Sequence, residues 1–399
     1  MLQNNNKKIV IVSFADLGKR RNLKTANILP LISFLKEKGL ISDIFCRINK
    51  NFDFPFTFSI VPEILHYFIS LSGLLFNNQF FSRTLEEKIF DFFTDFKIKK
   101  LKERKIIFFH PDYYFLKSVK TAKEKGHLTI GLTVSAHGEY NANLEKEEFE
   151  RLNLKKDFEK YAIYYRLLKR GFYKNEYDYL IACSFFVKDT YSKYGSYGSN
   201  PEKIFVAVPD VDSLKFFPSK EKPKNFRVLY VAQTTILKGL HYLLDAWKKI
   251  KIKNAQLFLV GGWGFVPPRY RKRLESMIFK DERIKWIKFT KNIISFYQNS
   301  SLFVFPSLTE GNPRVLREAM ACGLPIITTE NAKGLVENNR NGFIVPIRDA
   351  EALKEKIEFL CYNQKLREEM GQESRKIIEK KESFGSEILK IYERIVNQQ

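Results

Sequence analysis

The chain has 399 residues, of which 44% are hydrophobic and 15% aromatic, so it holds enough apolar material for full cores and predicts two or three domains. Lysine and arginine number 68 against 45 acidic residues, and the net charge of +23 predicts an anionic partner: nucleic acid, an anionic membrane surface or a phosphorylated substrate. The four cysteines are far apart, which excludes a disulfide-stapled miniprotein and a clustered zinc site and favours a reducing compartment.

The amino-terminal apolar run, residues 9–12, is too short for the core of a signal peptide, and we interpret it as a first buried strand. The longest uncharged stretch, residues 64–82, is interrupted by polar side chains. A spanning helix needs about 20 predominantly apolar residues, so no transmembrane helix is predicted.

Apolar, β-branched segments then alternate with amphipathic helical patterns, which predicts parallel strands joined by crossover helices. The strand segments of the first half are IVIVSF, ISDIFCRI, IIFFH, LTIGLTVSAH, YLIACS and KIFVAV. An apolar repeat predicts one amphipathic helix over residues 84–104 with its charged face in solvent; its members are Leu85, Ile89, Phe92, Phe93 and Phe96.

A break follows Val208, where PDVDSLKFFPSKEKPKNF holds prolines and alternating charges, as is typical of a linker. Strand segments resume with RVLYVAQ, QLFLVGG, IKWIKFT, LFVFPS, PIITTE and GFIVP, and helices are predicted at 239–250, 314–322 and from 349 onward. The predicted organisation is a first α/β domain over 1–208, a linker over 209–225, a second α/β domain over 226–384 and a final helix over 385–399 that packs back on the first domain.

The segment TEGNPRVLREAMACGLPIITTE carries Glu310 in the loop after a strand and Glu318, eight residues on, inside the next helix. Ligands of open α/β sheets bind at this carboxyl edge, where a helix amino terminus offers N–H groups to phosphate. Gly311 allows close approach of the backbone, and two carboxylates accept hydrogen bonds from sugar hydroxyls. The alternative, that Glu310 caps the helix and Glu318 is a surface residue, has about equal support from spacing alone.

At these residues the chain resembles the retaining glycosyltransferases of family 4, whose E-x7-E motif lies in a phrase similar to EGNPRVLREAMACGLPII. VAQTTILKGLHYLLDAW resembles the phosphate loop of that family, and VSAHGEYNANLEKEE is a looser match in the first domain, while residues 51–105 are unmatched. The resemblance implies the GT-B architecture: two Rossmann-like α/β/α domains that face each other across a deep cleft. The first domain then binds the acceptor and the second binds a nucleotide-sugar donor.

The resemblance also implies roles for individual residues. Glu310 would hold hydroxyls of the donor sugar, Glu318 the ribose of the nucleotide, and Lys238 the diphosphate leaving group; without the resemblance Lys238 is a surface lysine that starts a helix. The residues expected beside the diphosphate are Gly311, Asn312 and Pro313.

One departure from the family concerns the position five residues before Lys238, where Gln233 replaces the usual arginine. Either Lys19 or Arg20, in the loop after the first strand, supplies the missing charge, or stabilisation of the leaving group is weaker. We assign Gln233 to the donor site and keep Gly18, in that first loop, as a further site residue.

A histidine ends a strand at the corresponding edge of the first domain. His137 matches a family histidine near the reacting sugar, and a catalytic and a structural role stay equally open for it. His110, at the end of another strand, is the reserve candidate.

Metal and dinucleotide motifs are weak. Asp210 and Asp212 form a D-x-D pattern, but it lies in the proline-bounded linker and we interpret it as structural. The segment GGWG at 261–264 lacks the full dinucleotide fingerprint, and neither a P-loop nor a G-x-S-x-G elbow is present. We predict no metal and no cofactor.

The predicted function is that of a retaining, metal-independent, hexosyltransferase-like enzyme of bacterial cell-envelope or polysaccharide synthesis. It would move a sugar from a nucleotide-diphosphate-sugar to a hydroxyl of a glycan or lipid-linked acceptor. The expected location is the cytoplasm, with possible peripheral contact with the anionic inner face of the membrane. No nucleic-acid partner is expected. Residues 52–81, rich in phenylalanine, either dock the acceptor or form core and crossover helices. The alternative is a basic nucleic-acid- or membrane-binding protein with a catalytically silent GT-B fold; it explains the charge but not the E-x7-E phrase.

Overall fold

The computed structural model describes residues 8–18, 25–50, 57–59, 79–110, 115–169, 171, 176–221, 223 and 225–398. The chain divides into two compact units. The first unit comprises Met1–Gly138, Leu167–Pro209 and Ser383–Gln399, and the second comprises Glu139–Arg166 and Asp210–Glu382.

The first unit is built on a parallel sheet in the order β3-β2-β1-β4-β5-β6-β7. The described side chains of its central strands are buried, as expected for apolar strands covered on both faces. The strands are β1 (Ile9–Gly18), β2 (Ile41–Lys50), β3 (Thr57–Ser59), β4 (Ile106–His110), β5 (Leu128–Thr133), β6 (Tyr179–Ala182) and β7 (Ile204–Val206).

The second unit is built on another parallel sheet, in the order β10-β9-β8-β11-β12-β13. The chain runs outward from β8 to β10 and returns on the other side of β8, so the order reverses between β8 and β11. The strands are β8 (Arg227–Val231), β9 (Gln256–Val260), β10 (Ile284–Ile287), β11 (Leu302–Phe305), β12 (Ile326–Thr329) and β13 (Gly342–Val345).

The helices of the described residues fill the connections between strands and the carboxyl-terminal part of the chain. They are α1 (Thr25–Glu37), α2 (Gln79–Lys99), α3 (Leu116–Glu124), α4 (Gly138–Arg151), α5 (Phe158–Tyr161), α6 (Ile163–Lys169), α7 (Phe185–Tyr194), α8 (Leu240–Lys249), α9 (Pro268–Lys280), α10 (Ile293–Gln298), α11 (Arg314–Ala321), α12 (Ala350–Tyr362), α13 (Gln364–Lys380) and α14 (Phe384–Asn397). Every predicted strand segment overlaps a strand of the structure, β1 and β2 extend beyond their predicted segments, and β3 is an addition.

The final helix, α14, packs within the first unit, where Ile388 and Ile395 join the buried cluster on one side of the sheet. Gly385 lies against α1, because a Cβ atom at that position would come within 2.5 Å of the Phe34 ring. The Glu387 carboxylate accepts a hydrogen bond from the Val208 backbone N–H at 2.6 Å. The end of the chain is thus attached to the first unit by apolar and polar contacts.

The domain prediction differs from the structure for residues 139–166: the sequence pattern assigns them to the first domain, but they belong to the second unit. The physical reason is packing. Phe149, Phe158 and Tyr161 share one buried cluster with Trp247 and the other core residues of the second sheet and its helices.

Helix α2 also departs from its prediction. It spans Gln79–Lys99 rather than 84–104, and its carboxylates lie on the buried face, whereas Phe92 and Phe96 are exposed. Of the phenylalanine-rich region 52–81, only 57–59 and 79–81 fall within the described residues. Among the helices of the described residues, none has the length and apolar character needed to cross a bilayer.

Candidate active site

The site is centred on two loops of the second unit that follow neighbouring strands. Lys238 ends a short 3-10 turn after β8, and Glu310 lies in the loop after β11. Since β8 and β11 are paired in parallel, both loops leave the same edge of the sheet, where the strand order reverses. The Lys238 ammonium contacts the Glu310 carboxylate, and the Ser307 hydroxyl donates to Glu310 Oε1 at 3.0 Å.

Backbone contacts hold these two loops together. The Leu308 N–H donates to the Leu237 carbonyl at 2.8 Å, and the Tyr230 hydroxyl donates to the Lys238 carbonyl at 3.2 Å. Gly239 has a φ of +68°, and a Cβ atom there would lie 2.0 Å from the Pro306 carbonyl oxygen. The glycine after Lys238 therefore permits the close approach that brings Lys238 to Glu310.

Glu318 occupies a separate, more buried position on α11. Its Oε2 accepts a hydrogen bond from the Tyr297 hydroxyl at 2.9 Å, and its Oε1 accepts one from Arg314 Nε at 2.7 Å. Tyr297 is fully buried, and burial first and the Glu318 charge second raise the pKa of Tyr297 well above its ordinary value of 10.0. The phenol thus stays protonated and keeps the carboxylate oriented.

Gly311, Asn312 and Pro313 form the turn that enters α11. Pro313 immediately precedes the helix, whose first N–H groups and positive dipole end are suited to phosphate. The buried Arg317 side chain fixes the turn by donating to the Asn312 carbonyl at 3.1 Å and to Asn312 Oδ1 at 2.6 Å. These three residues lie in the same loop as Glu310, as the sequence order requires.

Gln233 is exposed and follows β8, on the same edge as Lys238. The GGWG segment pairs with the loop that holds Gln233: the Thr234 N–H donates to the Gly262 carbonyl at 2.9 Å, and the Gly264 N–H donates to the Thr234 carbonyl at 2.7 Å. The glycines of GGWG therefore support the Gln233 to Lys238 loop.

His137 and Gly18 belong to the first unit. Gly18 ends β1, whereas Lys19 and Arg20 lie outside the described residues. The His137 ring is buried against Tyr191 and Tyr194, and burial lowers its pKa to about 4, so it is neutral at neutral pH. A neutral imidazole is suited to hydrogen bonding rather than to charge stabilisation.

The reserve candidate, His110, ends β4 and is buried as well. Burial lowers its pKa to about 3, so it too is neutral at neutral pH. It lines a small cavity of the first unit with Cys183 and Phe384.

Sequence reasoning missed a cavity of about 130 Å³ beside Lys238 in the second unit. The segment 139–166, which the sequence pattern assigns to the first domain, supplies much of its wall, including Glu145, Tyr161 and Tyr164. Thr309, next to Glu310, also lines it and donates to Asn141 Oδ1 at 2.8 Å. Burial raises the pKa of Glu145 to about 7, an effect that backbone N–H groups of Tyr164 and Ile163 partly offset.

The D-x-D residues have local partners in the second unit. Lys381 Nζ donates to Asp210 Oδ1 at 3.1 Å, and Asp212 Oδ1 accepts from the Lys215 backbone N–H at 3.0 Å. Within the part of the chain that the structure describes, no group of three or more histidine, cysteine, aspartate or glutamate side chains is arranged to hold a metal ion.

In open α/β sheets, ligands bind at the edge where the strand order reverses, and the loops at this edge of the second sheet carry Lys238 and Glu310. Residues 212–377 match the family model described as "Glycosyl transferases group 1". These residues all lie in the second unit, and the resemblance to glycosyltransferases seen in the sequence is confirmed at this level.

Among proteins of similar sequence is the capsular polysaccharide biosynthesis glycosyltransferase CapM of Staphylococcus aureus. It is 35% identical over 170 residues, which are 41% of this chain and 44% of CapM. The match thus spans less than half of the length of that relative.

Two solved structures resemble nearly the whole chain. Sucrose-phosphate synthase of Thermosynechococcus elongatus has a TM-score of 0.68 at 17% identity, covering 98% of this chain and 100% of its own. Anabaena HepE, solved in complex with UDP-glucose, has a TM-score of 0.64 at 17% identity, with the same coverage. The predicted α/β fold is confirmed, and its solved neighbours are GT-B glycosyltransferases.

Proposed function

We propose that this protein is a retaining glycosyltransferase that moves a sugar from a nucleotide-diphosphate-sugar to a hydroxyl of a glycan or lipid-linked acceptor in bacterial polysaccharide synthesis. The observation that carries the proposal is the Lys238–Glu310 pair beside the amino terminus of α11, at the switch point of a sheet in the family-matched domain. The capsule-synthesis relative and the neighbour that binds UDP-glucose support the substrate class.

The proposed reaction breaks the bond between the anomeric carbon and the diphosphate oxygen. A new bond forms from the acceptor oxygen to the same face of the sugar, and the acceptor proton passes to the departing phosphate oxygen. Lys238 and the N–H groups at the start of α11 stabilise the negative charge that develops on the diphosphate. Glu310 holds hydroxyls of the sugar, and Glu318 accepts hydrogen bonds from the ribose. In this scheme the nucleoside diphosphate is the leaving group and no metal is required.

The cysteines support a cytoplasmic location for this activity. None of the four forms a disulfide, and Cys46, Cys183 and Cys322 are buried, a pattern typical of reducing compartments. Burial raises the pKa of Cys322 to about 12, so this thiol is unreactive at neutral pH.

The first test is a thermal-shift screen of the full chain against UDP, GDP, ADP and CMP and their sugar conjugates. A ligand that binds only the folded state raises the unfolding midpoint, so we expect a rise with one nucleotide. The rise should disappear in Glu318→Ala and persist in Glu369→Ala, a matched change at an exposed site on α13. No response to any nucleotide would overturn the proposal.

Turnover is then measured with the nucleotide-sugar that binds, with and without a chelator, and the anomeric configuration of the product is determined by NMR. Retention and insensitivity to chelation are expected. An inverted product would contradict the same-face reaction, and nucleotide binding without turnover on glycan and lipid-linked acceptors would favour the catalytically silent alternative.

A further inference from the structure

Helix α2 exposes large apolar side chains on one face. Leu85, Phe92 and Phe96 are 37%, 54% and 50% exposed. Their spacings of seven and four residues place them on one stripe of the helix. Helices of globular proteins normally turn such a stripe toward the core, so this face is unusual in pointing outward.

The acidic side chains of α2 are covered rather than exposed. Glu86, Glu87, Asp91 and Asp95 are all buried. Asp91 accepts hydrogen bonds from the backbone N–H groups at the start of α3, from Lys117 at 3.0 Å and from Ser118 at 2.9 Å. A carboxylate in this position satisfies free N–H groups and the positive end of the helix dipole. The negative charge of Asp91 is therefore stabilised within the first unit by the start of α3.

Asp95 is also hydrogen-bonded within the first unit. It accepts a hydrogen bond from the Thr121 hydroxyl on α3 and one from Lys99 on its own helix at 2.7 Å. Over the described part of α2, residues 84–99, no carboxylate remains on the exposed surface. The charged side chains exposed on this part of the helix are therefore all basic.

The basic groups lie beside the exposed rings. Lys88, Lys99, Lys100 and Lys117 are exposed. Lys100 Nζ is 4.2 Å from the centre of the Phe96 ring, and Lys117 Nζ is 5.7 Å from that of Phe92. We call this surface the Phe92 face; it consists of Leu85, Lys88, Phe92, Phe96, Lys100 and Lys117, whereas the Lys99 ammonium is paired with Asp95.

We propose that the Phe92 face docks the protein on an anionic lipid bilayer. From Leu85 to Lys100 the face is about 22 Å long at 1.5 Å per residue, so its rings and ammonium groups lie along a line parallel to a membrane surface. Phenyl rings enter the boundary between headgroups and acyl chains, while lysines meet anionic headgroups. Burial of the carboxylates favours docking, because carboxylates exposed on the Phe92 face would repel an anionic membrane surface.

This proposal goes beyond the transferase activity and does not depend on it, since docking needs no nucleotide. Its chemistry distinguishes a bilayer from nucleic acid, which offers phosphates but no apolar phase for Leu85 and two phenylalanines on one stripe. Attachment by so few groups is reversible and weakens with salt.

The experiment measures flotation of the full chain with vesicles of phosphatidylcholine alone and of phosphatidylcholine mixed with phosphatidylglycerol, at low and high salt. We expect binding to the anionic vesicles only, with loss at high salt. Phe92→Ser with Phe96→Ser should reduce the bound fraction at least about fivefold, because two apolar groups no longer leave water on binding. Lys100→Glu with Lys117→Glu should reduce it similarly, since repulsion replaces attraction.

The matched control is Phe279→Ser with Phe289→Ser in the second unit, where the two rings are 71% and 77% exposed. This control should bind vesicles as the parent protein does. Equal binding to both vesicle types, or binding kept in the Phe92/Phe96 and Lys100/Lys117 variants, would overturn the proposal. So would loss of binding in the control alone, or capture of an oligonucleotide but not of vesicles. Circular dichroism checks each variant, and the lysine pair serves as the test if the serine pair does not fold.

Discussion

The ammonium of Lys238 contacts the carboxylate of Glu310, although the two residues are 72 positions apart in the sequence. Each side chain is partly accessible, and each partner reduces the charge that the other presents. A diphosphate that binds at this edge therefore competes with Glu310 for the same ammonium. Because of this competition, we expect a change at Glu310 to affect diphosphate binding and turnover in opposite directions.

Glu310→Gln should raise the affinity for a nucleoside diphosphate and abolish most turnover. The neutral amide releases Lys238 for the phosphates, and we expect a gain of about 1 kcal/mol, or roughly fivefold. Turnover should fall about 100-fold or more, because the charged group that positions the donor sugar is lost. Calorimetry with the nucleotide identified in the screen and steady-state assays measure the two effects.

Glu369→Gln is the control for that experiment, since Glu369 is exposed on α13 and its ion-pair partner is Lys365 on the same helix. It should leave both quantities unchanged. Weaker diphosphate binding in Glu310→Gln would show that Glu310 does not compete for the ammonium.

Tyr297→Phe should weaken nucleotide binding without altering the shape of the core. The hydroxyl of Tyr297 is the partner of Glu318 Oε2, and its removal leaves that carboxylate less oriented toward a ribose. One hydrogen bond of this kind contributes about 1 kcal/mol, so we expect the dissociation constant to rise roughly fivefold. Tyr362→Phe, at an exposed position, should have no effect. An unchanged affinity in Tyr297→Phe would remove Tyr297 from the donor site.

Glu148 and Glu147 offer a matched pair for stability. Glu148 is fully buried and contacts His241, Tyr242 and Arg348, while Glu147 is 57% exposed and pairs with Arg348. Glu148→Ala should lower the free energy of unfolding by about 3 kcal/mol, because His241, Tyr242 and Arg348 then lose the carboxylate that they contact. Glu147→Ala should cost at most about 1 kcal/mol. Urea denaturation measures both, and equal costs would mean that the Glu148 network does not hold residues 139–166.

Glu145 should give stability a specific pH dependence. Its ordinary pKa is 4.5 and its folded pKa is about 7, so between these values the folded state holds the proton that the unfolded state has released. The favourable contribution is complete below pH 4.5 and is lost as the pH rises through 7, a change of roughly 3 kcal/mol. Glu145→Gln keeps a hydrogen-bond acceptor and removes the proton, so its stability should fall less than that of the parent between pH 5 and 8. Parallel pH profiles of unfolding free energy would contradict this prediction.

Much of the fold was predictable from local patterns. The strand segments follow from runs of β-branched and apolar residues, and the alternation with helices specifies parallel sheets. Helix α2 shows where this reasoning fails: its periodicity is real, but periodicity does not say which face is covered. Asp91 and Asp95 meet the start of α3 and the Thr121 hydroxyl, and these polar partners turn the acidic face inward.

Some features of the site are likewise predictable from local sequence, whereas others depend on contacts between distant residues. The second α/β domain and the segment that carries Glu310, Asn312 and Glu318 are predictable from the sequence, because these residues are close together in the chain and form one motif. The contact of Lys238 with Glu310, the hydrogen bond from Tyr297 to Glu318, and the place of Glu145 in a cavity beside Lys238 are evident only in the folded chain. These contacts join strands and helices far apart in sequence, and their formation depends on packing and burial that no local pattern encodes.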